Sequence, residues 1–429
     1  MALPTLEYNS STGSDTAASG AGPATAVTGS SAAHTGGSPS TTITLTNTPD
    51  LSGVATDGSA AIFLATSSGS RHLSKITGVD DGADTVTVED SFNIAAGSAV
   101  NYAIGGKRQT LIADTSRPDW DDTAAGWTFA LDGTFDINTT SGTMDPAAGT
   151  LALGPTVIKK SASASGRPVL RIQTGNAMTM FTVASGGWYR FEGVKFLHEY
   201  DWAGSRLISA SNSEVMEIVD CVFVNPSQAF LFNGTVYFDV RDCYFSANYA
   251  EGVGLLIGGR CCGIIQGCVI QGYTTGISLE QASSYAGVTV DSCLVLDCTG
   301  DGIVHQSNNA GVLNNIVDCT VVDNGSDGIA VTGTTNASNA LVVRNCVLAY
   351  NGGYGLLGVS SGRVFNDYNA YYSNTSGEVS NVTKGANSVT LSADPFTARG
   401  SDDYTLNATA GGGAACREAG FPGAFPDGT

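Results

Sequence analysis

The sequence predicts an all-β chain whose larger part is a parallel β-helix, or solenoid, preceded by a small N-terminal β module and a flexible arm. Three observations predict it. A column of cysteines recurs every 22 to 27 residues, apolar residues stand at fixed offsets on both sides of it, and a turn followed by Gly and an aliphatic residue closes most periods. Ahead of these repeats the chain is first almost devoid of large side chains and then broken into short β-prone runs.

The column is Cys221, Cys243, Cys268, Cys293, Cys319 and Cys346, with Val194 one coil earlier and Asn369 one later. Three residues before it stand Phe191, Ile218, Val240, Ile265, Val290, Ile316 and Val343, and two residues after it Phe196, Phe223, Phe245, Ile270, Val295, Val321 and Leu348. Alternation along a strand has a period of two, so an offset of three implies a bend between two short strands. Five residues after the column come Asn248, Asn324, Asn351 and Asn374, with Pro226, Tyr273 and Cys298 in the other coils. A third strand then opens at Gly254-Leu255, Gly276-Ile277, Gly302-Ile303, Gly328-Ile329 and Gly355-Leu356. Each coil therefore reads as strand, bend, strand, Asn turn, strand. The period also falls in the range of leucine-rich repeats, and Ile316-x-x-Cys319-x-Val321-x-x-Asn324 matches the core of that repeat. After the Asn, however, the chain carries Gly and β-branched residues, where a leucine-rich coil would carry helix formers.

From Asn9 to Ser40, 28 of 32 residues are Gly, Ala, Ser, Thr or Pro. Such a stretch buries too little to order itself, so residues 1–40 are expected to form a low-complexity arm, flexible or ordered as a strand by a partner. Residues 41–107 hold the runs Thr41 to Leu45, Ala61 to Ala65, Leu73 to Val79, Thr85 to Glu89 and Val100 to Ile104, the small β module. The solenoid is expected over 108–393, and a closing coil and tail over 394–429.

Composition narrows the function classes. Nineteen basic against 39 acidic residues give a net charge of −20, which repels phosphate backbones and disfavours nucleic acid and anionic membrane surfaces as partners. Only 14% of residues are charged while glycine reaches 55, so Ser, Thr, Asn and Gly must form much of the wetted surface. At 42% hydrophobic residues the chain can bury a core. No basic cluster followed by an apolar block opens the sequence, so no secretory signal peptide is expected. No apolar run approaches the roughly 18 residues that span a bilayer. One cysteine per coil points to inward-stacked thiols. In-register neighbours point in parallel, which holds their β-carbons too far apart for good disulfide geometry. Cys298 falls at the Asn-turn position, and Cys261, Cys262 and Cys416 have no place in the column.

The Cys, Asn and Gly-Ile columns resemble the right-handed parallel β-helix of the pectate-lyase-like superfamily. The closing stretch, Asp394-Pro395-Phe396, Asp403-Tyr404-Thr405-Leu406 and Gly420-Phe421-Pro422, resembles the last coil and tail of such proteins. With its small-residue arm and a β module ending Tyr102-Ala103-Ile104-Gly105-Gly106-Lys107-Arg108, the whole arrangement resembles phage and prophage virion proteins of the fibre or decoration kind. That resemblance implies a non-enzymatic structural protein of a bacteriophage virion, assembled in the host cytoplasm as a homotrimer. Its partners would be capsid or tail proteins, joined through the N-terminal module, and bacterial surface glycans met in host attachment. The alternative is a polysaccharide-degrading β-helix enzyme, a tailspike-like glycosidase or lyase.

The family's catalytic patterns are absent from the coils. Polygalacturonases of this fold carry paired aspartates, Gly-His-Gly and Arg-Ile-Lys on neighbouring coils, whereas here Asp80-Asp81, Asp121-Asp122 and Asp402-Asp403 lie outside them and Arg171-Ile172 is followed by Gln173. Pectate lyases use a basic residue beside bound calcium, and Lys195 is the single lysine between Gly166 and Gly362. One acidic constellation remains. Asp297 and Asp301 recur 26 residues on as Asp323 and Asp327, so the fold stacks each pair about one ladder spacing apart. Four such carboxylates read as a solvated acidic turn, a Ca-type cation site, or the carboxyl pair of a retaining glycosidase. His198-Glu199-Tyr200-Asp201-Trp202 leaves the coil after Phe196, and Tyr200 and Trp202 are glycan-contact candidates, as they are packing or subunit-interface candidates. His305 occupies the position of Leu279 and Val331 and is expected to point inward as a structural residue. No cofactor is otherwise implied.

Overall fold

The computed structural model describes residues 155–420 apart from 163, 173–178, 184–186, 200–204, 211–213, 225, 248–251, 282–285, 307–310, 334–339 and 360–362. Ahead of these it describes 5–9, 27–33, 40–45, 51, 54, 56, 61–66, 71–92, 100–104 and 128–136. The chain divides into two compact units, residues 1–174 with 180–197, and residues 175–179 with 198–429.

The first unit contains a closed antiparallel barrel of six strands, Val27–Ala33, Ser40–Leu45, Ala61–Thr66, Arg71–Asp80, Thr85–Phe92 and Val100–Ile104. Ile43, Leu45, Leu51, Val54, Ile62, Ile76, Val86 and Val88 are buried in this part of the chain. The barrel begins earlier than the sequence suggests. Val27–Ala33, expected within a flexible arm, pairs with Val100–Ile104 on one side and with Ser40–Leu45 on the other. Thr5–Asn9 is likewise a strand, paired in parallel with Thr128–Asp132. Of residues 1–40, expected as an arm either flexible or ordered as a strand by a partner, these two segments are strands paired within the chain. Small residues supply little apolar area, but a ladder of backbone hydrogen bonds does not require it. Thr128–Asp132, Thr156–Lys160 and Trp188–Glu192 then stack in parallel, and Phe181, Phe191 and Phe196 meet edge to face with centroids 5.1 to 6.0 Å apart.

The second unit is the parallel solenoid that the columns predict. One coil runs through Leu313–Val317 on a first sheet, Thr320–Val322 on a second and Ile329–Val331 on a third. Each of these strands pairs in parallel with its equivalent in the next coil. In the first sheet the alternation puts Ile218, Val240, Ile265, Val290, Ile316 and Val343 inside, all with essentially no exposure. Phe223 and Phe245 stack at 4.8 Å with Phe230 edge-on to them.

Backbone conformation makes the bend. The residue just before the column is Gly193, Asp220, Asp242, Gly267, Ser292, Asp318, Asn345 or Tyr368, and every one has φ between 51° and 67°. Gly, Asn and Asp reach this left-handed region most readily, so the glycine or small polar residue in front of each cysteine follows from the turn itself. The cysteine then lies inside: each column Sγ is within hydrogen-bonding distance of the carbonyl two residues earlier, as with Cys319 Sγ 3.1 Å from Val317 O. From Cys243 onward each also approaches a carbonyl of the preceding coil, as with Cys319 Sγ 3.5 Å from Val290 O. Asn369 takes over at the next coil, accepting from Cys346 N at 2.9 Å and donating to Val343 O at 2.9 Å. The asparagine turn works alike. Asn351 Oδ1 accepts from Asn324 Nδ2 at 2.9 Å while its own Nδ2 donates to Asn374 Oδ1 at 2.9 Å and to Val321 O at 3.2 Å. The glycine after this turn is a requirement of close approach: a Cβ on Gly302 would lie 2.6 Å from Val321 Cγ1 and 2.7 Å from Gly328 O.

All ten cysteines are free thiols, and the six in the column are at most 2% exposed. Burial pushes the thiols of Cys243 and Cys319 well above the ordinary range. Thiol-reactive reagent added to the native protein is expected to leave these six unmodified and to label them after denaturation. Peptide mapping that found the column cysteines alkylated at the same rate before unfolding would contradict the inward ladder.

Candidate functional site

Asp297 and Asp323 owe their places to the backbone. They stand four residues after the column, where the chain enters the Asn turn, and this position also has positive φ: Gly272, Asp297, Asp323, Tyr350 and Ser373 lie between 51° and 79°. The position recurs whether or not its residue is acidic. The register of Leu294–Leu296 with Thr320–Val322 then brings Asp297 beside Asp323, as expected from the spacing. Desolvation raises the Asp297 carboxyl above its ordinary range, and the charges of Asp323 and Asp402 add to that against an opposing Arg399.

Asp323 is paired across 76 residues of sequence. The tail folds into the antiparallel strands Phe396–Ala398 and Asp403–Leu406, joined by a short 3-10 turn at Arg399–Ser401. From there Arg399 Nη1 donates to Asp323 Oδ1 at 2.5 Å, and Tyr404 Oη donates to Asp323 Oδ2 at 3.3 Å. The Arg399 guanidinium also sits 3.8 Å above the Tyr350 ring. Since the arginine is 37% exposed, the ion pair and the cation–π contact together hold the tail by about 1 kcal/mol.

Asp301 and Asp327 form a different pair. Asp301 Oδ1 accepts the Asp327 backbone N–H at 2.9 Å, and Asp327 Oδ1 accepts that of Tyr354 at 2.6 Å. Each carboxylate thus ties its coil to the next. Asp327 is 8% exposed, and desolvation raises its carboxyl while the Tyr354 bond opposes the rise.

The four aspartates differ in their surroundings. Asp297 is exposed, Asp301 is half-buried, Asp323 is bonded by the tail and Asp327 is buried. A guanidinium is bonded to Asp323, and Asp301 and Asp327 each turn one oxygen to a backbone N–H group. Among the described residues, no group of three or more His, Cys, Asp or Glu is arranged to hold a metal ion. Tyr200 and Trp202 lie outside the described residues, while His198 ahead of them is buried.

His305 faces inward, in register with Leu279 and Val331. It belongs to a buried polar network: Asn314 Nδ2 lies 3.1 Å from His305 Nδ1 and 3.0 Å from Gln281 Oε1, and Asn314 Oδ1 accepts Val288 N–H at 2.9 Å. The sequence places His305 correctly but gives no sign of Gln281 and Asn314, which lie on different coils and belong to no column.

Residues 182–340 match the family described as "Right handed beta helix region". The fold is a right-handed parallel β-helix. Similar solved structures include pectate lyase Pel9A (15% identity, 67% of this chain and 82% of that one, TM-score 0.49) and a rhamnogalacturonan lyase (14%, 74% and 90%, TM-score 0.45). Another is the tailspike protein gp49 from Pseudomonas phage LKA1 (12%, 88% and 64%, TM-score 0.39). No curated protein sequence matches the chain. No helix among the described residues is long and apolar enough to cross a membrane.

The buried groups Asp327 and His305 each carry an expectation. Replacing Asp327 with Asn keeps an acceptor for Tyr354 N–H and removes a desolvated charge, so stability should hold or rise; Asp327→Ala strands that buried N–H and should cost ~1–3 kcal/mol in urea unfolding. Equal stability of the two variants would show that the bond carries nothing. Burial lowers the His305 pKa to about 4, below the unfolded value. The unfolded state therefore takes up the proton first, and stability should fall as pH drops from about 6.5 to about 4. His305→Gln should flatten that limb of the stability curve; an unchanged limb would assign it to other groups.

Proposed function

We propose that the chain is a non-enzymatic structural protein of a phage virion, a fibre or decoration protein of capsid or tail. In this reading it assembles as a homotrimer, its N-terminal strands and barrel join it to the particle, and its solenoid is presented to bacterial surface glycans. The observation that carries the proposal is the fate of the acidic cluster. A glycosidase needs two carboxyl groups facing a substrate, one able to exchange a proton with it. Here Asp323 is engaged by Arg399 and Tyr404, while Asp301 and Asp327 accept backbone N–H groups between coils. The surface composition supports the same reading, since a coat of Ser, Thr, Asn and Gly with net charge −20 resists non-specific association.

The test incubates the purified assembled protein with capsular and lipopolysaccharide glycans of the host and follows reducing ends and unsaturated products. No product is expected. Oligosaccharide release that disappears in Asp297→Asn and Asp323→Asn proteins would replace the structural role with a depolymerase. Particles carrying a labelled copy are expected to show the label at the virion surface under electron microscopy.

A further inference from the structure

The three-residue strands of the second sheet turn their middle side chain inward and the other two outward. From Val222–Val224 to Ala370–Tyr372, none of the outward side chains is charged. The outward side of the first sheet differs, since Glu217, Asp239, Arg241, Asp291, Arg344 and Asp367 stand there. In a chain of net charge −20, a face that excludes charge from coil after coil calls for a cause. In the later coils the cause is the tail. Leu296, Val322 and Ala349 are buried on this face in one cluster with Phe396, and Tyr404 and Leu406 pack against it.

The same face continues into the earlier coils. Val222, Tyr244, Val269 and Leu294 follow one another directly in the pairing register. Val269 and Leu294 border the cluster under the tail, and Val222 and Tyr244 carry the row beyond it. Val222, Val269 and Leu294 are half-buried, and Tyr244 is 37% exposed. Exposed apolar residues that stand singly are ordinary, and Tyr237, Leu313 and Phe365 on the first sheet are of that kind, on separate coils and among charges. An unbroken apolar row is not.

We infer that this row is where copies of the chain meet, side by side and parallel, second sheet against second sheet. The row advances one residue per coil, about 4.8 Å. A partner that fits it must offer apolar groups at that same interval, and another copy set level with the first does so at every coil. Copies of so acidic a chain also repel one another, so they can pack closely only where charge is absent. The centre of an interface is depleted of charge and rich in aromatic residues, which is the character of Tyr244 and its neighbours. Asp220, Asp242 and Asp297, exposed at the edges of this face, then form an acidic rim. A stable contact takes about 800 Å² from each partner, so the row is its centre and the flanking turns its margin. The inference rests on the proposed homotrimer, to which it assigns a face.

Thiol cross-linking and sedimentation of the full-length protein test it. Val222→Cys and Val269→Cys proteins treated with a short bis-maleimide should yield about tenfold more cross-linked copies than the parent, whose half-buried Cys262 and Cys416 set the background. Leu313→Cys, on the first sheet, should stay at that background. Tyr244→Asp should weaken association about tenfold in analytical ultracentrifugation with an unchanged circular dichroism spectrum. Added salt should strengthen association of the parent by screening the acidic rim. Cross-linking through Leu313→Cys in place of Val269→Cys would move the contact to the first sheet and overturn the inference, as would a Tyr244→Asp protein that associates like the parent. A trimer that neither Val222→Cys nor Val269→Cys can link defeats this face alone. A protein that sediments as a dimer and cross-links through Val269→Cys keeps the face and defeats the homotrimer. A monomer defeats both, and the rate at which its Val269→Cys thiol is labelled then separates a face covered by the chain itself from one open to a different partner.

Discussion

Every coil of this solenoid must present to the next one the backbone shape that it receives, at a separation of about 4.8 Å. The residues that recur are those that meet this constraint. A left-handed residue turns the chain between the first and second sheets, a small inward thiol follows it, and a glycine admits the carbonyl of the next coil. Asparagine at the second turn answers the remaining demand. It has a donor and an acceptor, so one side chain can accept from the coil before and donate to the coil after, repeating without leaving a buried group unpaired. Tyr273 shows what happens without it: the ring fills the same interior position, but its hydroxyl has no hydrogen-bond partner among the described residues.

The same constraint accounts for the acidic cluster. Two of its aspartates occupy a positive-φ position that Gly272, Tyr350 and Ser373 fill in other coils, and the other two bridge coils through backbone N–H groups. Stacking identical coils therefore stacks like charges, which add to desolvation in raising the Asp297 pKa. Arg399 offsets it. The tail brings a cation to this stretch of aligned acids, and Tyr350, itself in the left-handed conformation at the equivalent position, supplies the ring beneath that cation.

Repetition is what makes positions legible in the sequence. Ile316, Cys319 and Val321 can be placed on their strands because interior positions return at a fixed offset in every coil, and the same register puts His305 correctly between Leu279 and Val331. The bend residues are equally periodic, yet Asp220, Ser292, Asn345 and Tyr368 share a dihedral angle and not a chemistry, so a comparison by residue type passes over them. Non-repeating contacts leave no trace. Nothing in the chain links Arg399 to Asp323, or Gln281 to Asn314, and each pair meets only after folding. Val27–Ala33 is legible only in part: Gly, Ser and Ala leave a flexible arm and a strand ordered by a partner both open, and barrel closure makes use of their backbone groups.

Positions exempt from the coil constraint are where this fold is free to acquire chemistry. The interior must be apolar or self-pairing and the turns must reach positive φ, so neither can change to suit a ligand without disturbing its neighbours. Outward residues of the first sheet carry no such demand. At one level they read Val215, Tyr237, Cys262, Gly287, Leu313, Ala340 and Arg363 along the register, with no common size or charge. At another level the register runs Arg241, Gln266, Asp291, Val317 and Arg344, again with no common size or charge.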